Sequence, residues 1–109
     1  MTRRILVPID GSEQVATAAT FAVENFPGAT IVLFHVINPS EAGYSTKASV
    51  SSVSDRWYEE QQAEAHERFD ELEASIGDGN SIDRVVEMGR PNATIVNYAE
   101  DNDIDQIVM

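Results

Sequence analysis

Asp10 is the residue of this sequence best placed to take part in ligand chemistry. It directly follows an apolar segment, residues 4–9, and is followed by Gly11 and Ser12. If the apolar segment is a strand of an open α/β sheet, its carboxyl end lies where such sheets bind ligands. A carboxylate there can accept hydrogen bonds from ribose hydroxyls or help to hold a metal ion. It can equally cap the helix that follows, so both interpretations stay open.

Two further residues lie near the end of a second apolar segment, residues 30–37. The backbone of Val36 could hydrogen-bond a flat heterocycle, although any residue at a strand end offers the same groups. His35 is interpreted as a sheet residue whose ring is satisfied by hydrogen bonds. We do not interpret it as a catalytic base, because no serine or cysteine nucleophile is evidently paired with it.

Known catalytic and phosphate-binding motifs do not occur in the sequence. There is no G-x-G-x-x-G, no G-x-x-x-x-G-K-[ST], no H-E-x-x-H and no G-x-S-x-G. The chain has no cysteine, and its two histidines, His35 and His66, are far apart. This excludes disulfides and thiolate zinc sites. We therefore expect no catalytic residues, no metal site and no enzymatic activity.

Charge is the most unusual property of the composition. The formal net charge is −12, from 19 acidic and 7 basic residues. Such a surface repels phosphate backbones, so nucleic acid is not expected as a partner. The acidity indicates either a patch for a cationic partner or a solvated surface typical of proteins from a high-salt cytoplasm, where salt screens self-repulsion. No apolar run is long enough to span a membrane, and a cytoplasmic location is the default prediction.

Four apolar runs alternate with helical patterns, which predicts a parallel sheet built from βαβ units. The predicted strands are residues 4–9, 30–37, 82–88 and 104–109, and the first two are nearly continuous, as doubly covered strands tend to be. A first helix is predicted between the first two strands and is ended by Pro27 and Gly28. Its apolar face comprises Val15, Ala18, Ala19, Ala22 and Phe26.

Two more helices are predicted further along the chain. The second runs from about Tyr58 to Ile76, with an acidic outer face of Glu60, Glu64, Glu67 and Glu71. The third begins at Pro91 or Asn92 and is expected to bury Ile95, Val96 and Ala99. Residues 38–54 are rich in Ser and include one Thr and one Gly. They are interpreted as a mobile loop over the carboxyl edge of the sheet or, equally, as a tolerated insertion.

Four segments, in this order, resemble landmarks of the universal stress protein family. They are residues 5–12 (ILVPIDGS), 32–37 (VLFHVI), 87–91 (EMGRP) and 105–109 (DQIVM). The resemblance covers essentially the whole chain. It implies an α/β fold with an open parallel sheet of order 3-2-1-4-5 and helices on both faces, like that of the adenine nucleotide α-hydrolases. Residues 1–109 form a single domain in this interpretation, with four of the five strands present.

The resemblance also implies a ligand site. In the ATP-binding branch of the family, the residue matching Asp10 contacts the ribose or adenine region, and residues matching Pro8, Ile9 and Val36 line the adenine pocket. Met109 matches the residue before a glycine-rich phosphate loop. The sequence ends at Met109, so we expect a domain that is incomplete at its C-terminus and retains the adenosine-side contacts. ATP, with a divalent metal ion, is the implied cofactor.

The sequence is compatible with three functions. The first is a stress-response domain that binds an ATP- or AMP-type nucleotide and regulates without strong catalysis. The second is a member of the family branch that does not bind ATP, acting as a protein-interaction module. The third is an enzyme of a related adenine nucleotide α-hydrolase-like fold, for which Asp10, Gly11 and Ser12 match the required phosphate loop poorly. The resemblance implies a homodimer.

Overall fold

The computed structural model describes residues 3–9, 14–38, 55–76 and 80–108. In chain order the elements are strand β1 (Arg4–Pro8), helix α1 (Gln14–Asn25), strand β2 (Thr30–Ile37), helix α2 (Asp55–Ile76), strand β3 (Ser81–Met88), helix α3 (Pro91–Asp101) and strand β4 (Gln106–Ile107). The predicted α/β alternation is confirmed. Apart from Asn38, the predicted loop over residues 38–54 lies outside the described residues, as does Asp10, the proposed cap of the first helix.

The described strands form one parallel sheet of order β3-β2-β1-β4. The first two strands pair from Arg4 with Thr30 to Pro8 with Phe34, and β2 pairs with β3 along its whole length. The chain moves outward from β1 to β3 and then returns to place β4 on the other side of β1. This matches the first four positions of the predicted order and puts a reversal of strand order between β1 and β4.

Helices α1 and α2 cover one face of the sheet. Three alanines of α1 (Ala18, Ala19, Ala22) and three residues of α2 (Ala65, Phe69, Leu72) form one buried cluster with Ile5, Val7, Ile31 and Leu33. The predicted apolar face of the first helix is confirmed at its three alanines, while Phe26 follows the end of the helix and packs against the cluster. The four glutamates of the predicted acidic face are exposed.

Helix α3 covers the opposite face. Successive strand residues point to opposite sides, so Phe34 points away from the cluster that contains Leu33, and Tyr98 of α3 contacts it there. The prediction that Val96 is buried is wrong, because half of it is exposed. Ile95 and Ala99, also predicted to be buried, are half-buried, as are Thr94 and Tyr98. Val96 lies about a third of a turn past Ile95, on the outer side.

Polar contacts fix the amino end of the sheet. The Arg4 N–H donates to the carboxylate of Asp105 at 2.8 Å, and the Asp105 N–H donates to the Arg4 carbonyl at 2.9 Å. The Arg4 side chain also donates to the carbonyl of Asn102. These bonds hold the turn after α3 against β1 and so set the register of β4. Asn80 acts similarly at β3, because its amide donates to the carbonyls of Phe26 and Ala29.

The outer edge of β3 is anchored to α2 by Arg84. Its guanidinium donates to the carboxylates of Asp70 and Glu73, and it lies 5.6 Å from the ring centre of Phe69. Charged residues on an edge strand also discourage pairing with another chain. None of the described helices is long and apolar enough to cross a membrane.

Candidate functional site

The candidate site lies at the carboxyl ends of β1, β2 and β4. In open α/β sheets, ligands bind at this edge where the strand order reverses. Here the reversal lies at β1, which has β2 on one side and β4 on the other. Two residues at this end of β1 shape the edge in different ways: Pro8 limits the pairing with β4, and Ile9 bonds to β2.

Pro8 interrupts the ladder between β1 and β4. The N–H of Val108 donates to the carbonyl of Leu6 at 3.0 Å, which shows that even-numbered residues of β1 turn their backbone groups toward β4. The next bond of a parallel ladder would come from the nitrogen of Pro8. Proline has no N–H to donate, so the pairing of these two strands cannot continue past Val108 through that bond.

Ile9 is held by β2 at both of its backbone polar groups. Its N–H donates to the carbonyl of Phe34 at 2.7 Å, and its carbonyl lies 3.0 Å from Nδ1 of His35. Since a carbonyl only accepts hydrogen bonds, Nδ1 of His35 carries the proton and donates. The Ile9 side chain is buried in the core. The interpretation of His35 as a satisfied sheet residue is therefore confirmed, with the carbonyl of Ile9 as its partner.

Val36 lies at the same edge, next to the end of β1. Even-numbered residues of β2 turn their backbone groups toward β1, as the bond from Ile9 to Phe34 shows, and odd-numbered residues turn toward β3, as the bond from Gly89 to Ile37 shows. The backbone of Val36 thus faces the β1 side of the sheet, beyond Pro8. Its side chain is half-buried. An N–H and a carbonyl in one strand residue suit the paired donor and acceptor of an adenine edge.

Gly89 closes the same edge on the β3 side. Its N–H donates to the Ile37 carbonyl at 3.0 Å, and its φ is +154°. A Cβ at this position would lie 2.7 Å from Oγ1 of Thr94. Glycine therefore allows the chain to turn from β3 directly into α3, whose first helical residue is Pro91.

The structure brings together three of the five residues predicted from the sequence. Pro8, Ile9 and Val36 lie at the ends of adjacent strands, and their contact with a ligand stays a prediction. Asp10 and Met109 lie outside the described residues. Sequence reasoning missed the bond from His35 to Ile9, since nothing in the sequence gives the register of β1 on β2. In the described segments, no group of three or more His, Asp or Glu side chains is arranged to hold a metal ion.

Comparison with known proteins gives a family and a set of related structures. The model of the universal stress protein family matches residues 1–109. The hypothetical protein MJ0577, whose biochemical function was assigned from its structure, is 27% identical with a TM-score of 0.78, over 100% of this chain and 74% of that one. Universal stress protein UspA from Lactobacillus plantarum is 26% identical with a TM-score of 0.76, over 97% of this chain and 74% of its own.

A third structure shows only that the fold is shared. It is a universal stress protein in complex with cAMP, 18% identical with a TM-score of 0.54, and the match covers 96% of this chain and 69% of that one. No curated protein sequence matches the chain. The sheet order, the position of the three helices and the placement of the strand ends are thus those of a fold found in several solved structures.

Proposed function

Because the chain belongs to the universal stress protein family, we propose that it binds an adenine nucleotide and acts as a regulatory domain without catalysis. The observation that carries the proposal is the carboxyl edge at the strand reversal, as the described ends of β1 and β2 define it. There, the half-buried Pro8 offers apolar surface beside the backbone donor and acceptor of Val36. A planar base needs this combination, because its faces seek apolar contact and its edge seeks hydrogen bonds.

The proposed contacts are mainly with the adenosine part of the ligand. Pro8, Ile9 and Val36 can contact a base, and Asp10, which follows Ile9 in the chain, would accept hydrogen bonds from the ribose hydroxyls. Met109 would lie next to the phosphates. A divalent metal ion is proposed as the companion of ATP. A related structure in complex with cAMP agrees with adenine as the base, and we carry that ligand class to this chain only as a proposal.

Calorimetric titration at 1 M KCl tests the function directly. Adenosine, AMP and ATP are each titrated into the chain, with guanosine and GTP as controls for the base. We expect the three adenine compounds to bind and the guanine compounds to bind at least about tenfold more weakly, since a guanine edge reverses the donor and acceptor that face Val36. Asp10→Ala should weaken the binding of adenosine and leave the midpoint of thermal unfolding unchanged within experimental error.

The result that would overturn the proposal is equal binding of adenine and guanine compounds, or binding of neither. In that case we would favour the second hypothesis, a homodimeric interaction module. The exposed glutamates of α2 (Glu60, Glu64, Glu67, Glu71) are the described feature that favours it. Turnover of ATP at a rate that increases with the concentration of the chain would instead favour the enzyme hypothesis. A cytoplasmic location remains a prediction.

A further inference from the structure

The hydrogen bond between His35 and Ile9 has a consequence for Val36. In a parallel ladder, the hydrogen bonds between two strands are evenly spaced. Each bonded residue donates through its N–H to one residue of the other strand and accepts through its carbonyl from the residue two positions further on. The N–H of Ile9 donates to Phe34. The next bond in that series runs from the N–H of Val36 to the carbonyl of Ile9. That carbonyl is the group to which the His35 ring donates.

The described pairing of β1 with β2 ends one step earlier, at Pro8 with Phe34. Among the described residues, the hydrogen bonds between these strands beyond that pair are the two made by Ile9, to the Phe34 carbonyl and to the His35 ring. The His35 side chain of β2 therefore bonds the same carbonyl that the Val36 N–H would bond in a regular ladder. The Val36 N–H faces the edge with no described backbone partner.

We propose that His35 is a positioning residue of the nucleotide site: by donating to the Ile9 carbonyl, it competes with the Val36 N–H for that acceptor and so leaves the Val36 N–H available to a ligand base. The identity of the ligand in this inference rests on the proposed function. The backbone arrangement does not, because it can be measured in the free protein. His35 itself contacts no ligand in this proposal.

The geometry also specifies which substitution preserves the arrangement. The donor is Nδ1, the ring nitrogen nearer the backbone. Asparagine carries an amide N–H at a similar distance from its Cα and can make the same bond, whereas glutamine places its amide one carbon further out. Leucine has a comparable size and no donor. His66, on the exposed side of α2, offers a matched control, since His66→Leu makes the same chemical change away from this edge.

Amide hydrogen exchange of the free chain, read by NMR, is the primary test. In the wild-type chain we expect Val36 to exchange at least about tenfold faster than Phe34, because exchange slows when an amide is hydrogen-bonded in the sheet. In His35→Leu, the Ile9 carbonyl becomes free to accept the Val36 N–H, and Val36 exchange should slow by about the same factor. His35→Asn and His66→Leu should keep the fast exchange. A general loss of stability would accelerate the exchange of Val36, which is the opposite of the slowing expected for His35→Leu.

Titration of the same four proteins with adenosine and ATP is the second test. We expect His35→Leu to weaken binding about tenfold, the effect of one lost hydrogen bond in a site. His35→Asn should restore affinity, and His66→Leu should match the wild type. The positioning role is overturned if Val36 is as protected as Phe34 in the free wild-type chain, or if His35→Leu leaves its exchange unchanged. If the wild-type chain binds neither adenosine nor ATP, the proposed function is wrong, and the exchange result still decides the role of His35.

Discussion

The ring of Tyr98 lies 4.8 Å from the ring of Phe34, centre to centre, with the two planes inclined at 44°. This pair joins α3 to the middle of β2. It does so on the face opposite to α1 and α2. Helix α3 has no fully buried residue, so its attachment to the sheet depends on a few half-buried side chains, of which Tyr98 is the largest.

The first prediction concerns this contact. Tyr98→Ala should lower the free energy of unfolding by about 2 kcal/mol, since it removes both apolar burial and an aromatic pair. Tyr98→Phe keeps the ring and should change the free energy by less than about 0.5 kcal/mol. Urea unfolding followed by circular dichroism gives both values. A loss of equal size in the two variants would mean that the hydroxyl, and not the ring contact, holds α3.

The second prediction concerns Gly89. Gly89→Ala should destabilise the chain by about 1–3 kcal/mol, because alanine disfavours the positive φ and its Cβ would lie 2.7 Å from Oγ1 of Thr94. Gly28 has a φ of +81° but no atom within 4 Å of an added Cβ. Gly28→Ala therefore carries the conformational cost alone and should be the milder change.

A double-mutant cycle separates the two causes at Gly89. In the Thr94→Ala background, Gly89→Ala should cost less than in the wild-type chain, because the clashing oxygen is gone while the φ is unchanged. Thermal unfolding of the four proteins gives the coupling. Identical costs in the two backgrounds would show that Thr94 moves aside freely and that the backbone conformation accounts for the whole effect.

The third prediction concerns the attachment of Arg84 to α2. The hydrogen bonds that Arg84 donates, first to Glu73 and then to Asp70, raise the pKa of Arg84 above its ordinary value. A raised pKa of a cation stabilises the fold fully at every pH below the ordinary value, and this contribution is lost only when the pH rises through the raised pKa. The stabilisation by Arg84 should therefore be constant from neutral to moderately alkaline pH.

Arg84→Met tests this contact while keeping an unbranched apolar side chain. We expect a loss of about 1 kcal/mol, of similar size at pH 7 and at pH 10, because the side chain is only 27% exposed and pairs with two carboxylates. Arg56→Met is the matched control. Arg56 pairs with Glu60 at 3.3 Å but is 91% exposed, and its loss should cost less than about 0.5 kcal/mol. Equal costs for the two variants would contradict the anchoring role of Arg84.

The fourth prediction concerns the net charge of −12. Repulsion among the carboxylates should make the chain more stable as KCl is added, with most of the gain below about 1 M, where the screening length has fallen to about 3 Å. The unfolding midpoint measured against KCl concentration tests this. The dependence of the midpoint on KCl should become weaker when the exposed glutamates of α2 are replaced by glutamine. These glutamates are Glu60, Glu64, Glu67 and Glu71. A midpoint that falls with salt would oppose a high-salt origin.

The sequence predicted the strands best where their burial is simplest. The runs that form β1 and β2 are apolar at nearly every position because both faces of the central strands are covered. It predicted β4 less well: residues 104–109 were expected, and the described strand is Gln106–Ile107. The neighbouring residues Asp105 and Val108 also donate to carbonyls of β1, but Pro8 has no N–H with which to extend the pairing. Strand ends depend on the neighbouring strand, which local sequence does not specify.

The candidate site divides in the same way. Pro8, Ile9 and Val36 could be placed at one edge from the order of the apolar segments and from a family resemblance. The bond from His35 to Ile9 could not, since it spans 26 positions and depends on the register of two strands. A shift of that register by one residue would turn His35 to the other face of the sheet.

By itself, the sequence determined which segments are strands and helices, which face of α1 is buried and which face of α2 is solvated, because period and composition reflect burial locally. The tertiary structure alone decided the contacts between residues far apart in the chain. Tyr98 on Phe34, Arg84 on Glu73 and His35 on Ile9 each join different elements. Such pairs exist only once strand order and register are set, and those follow from the packing of the whole sheet.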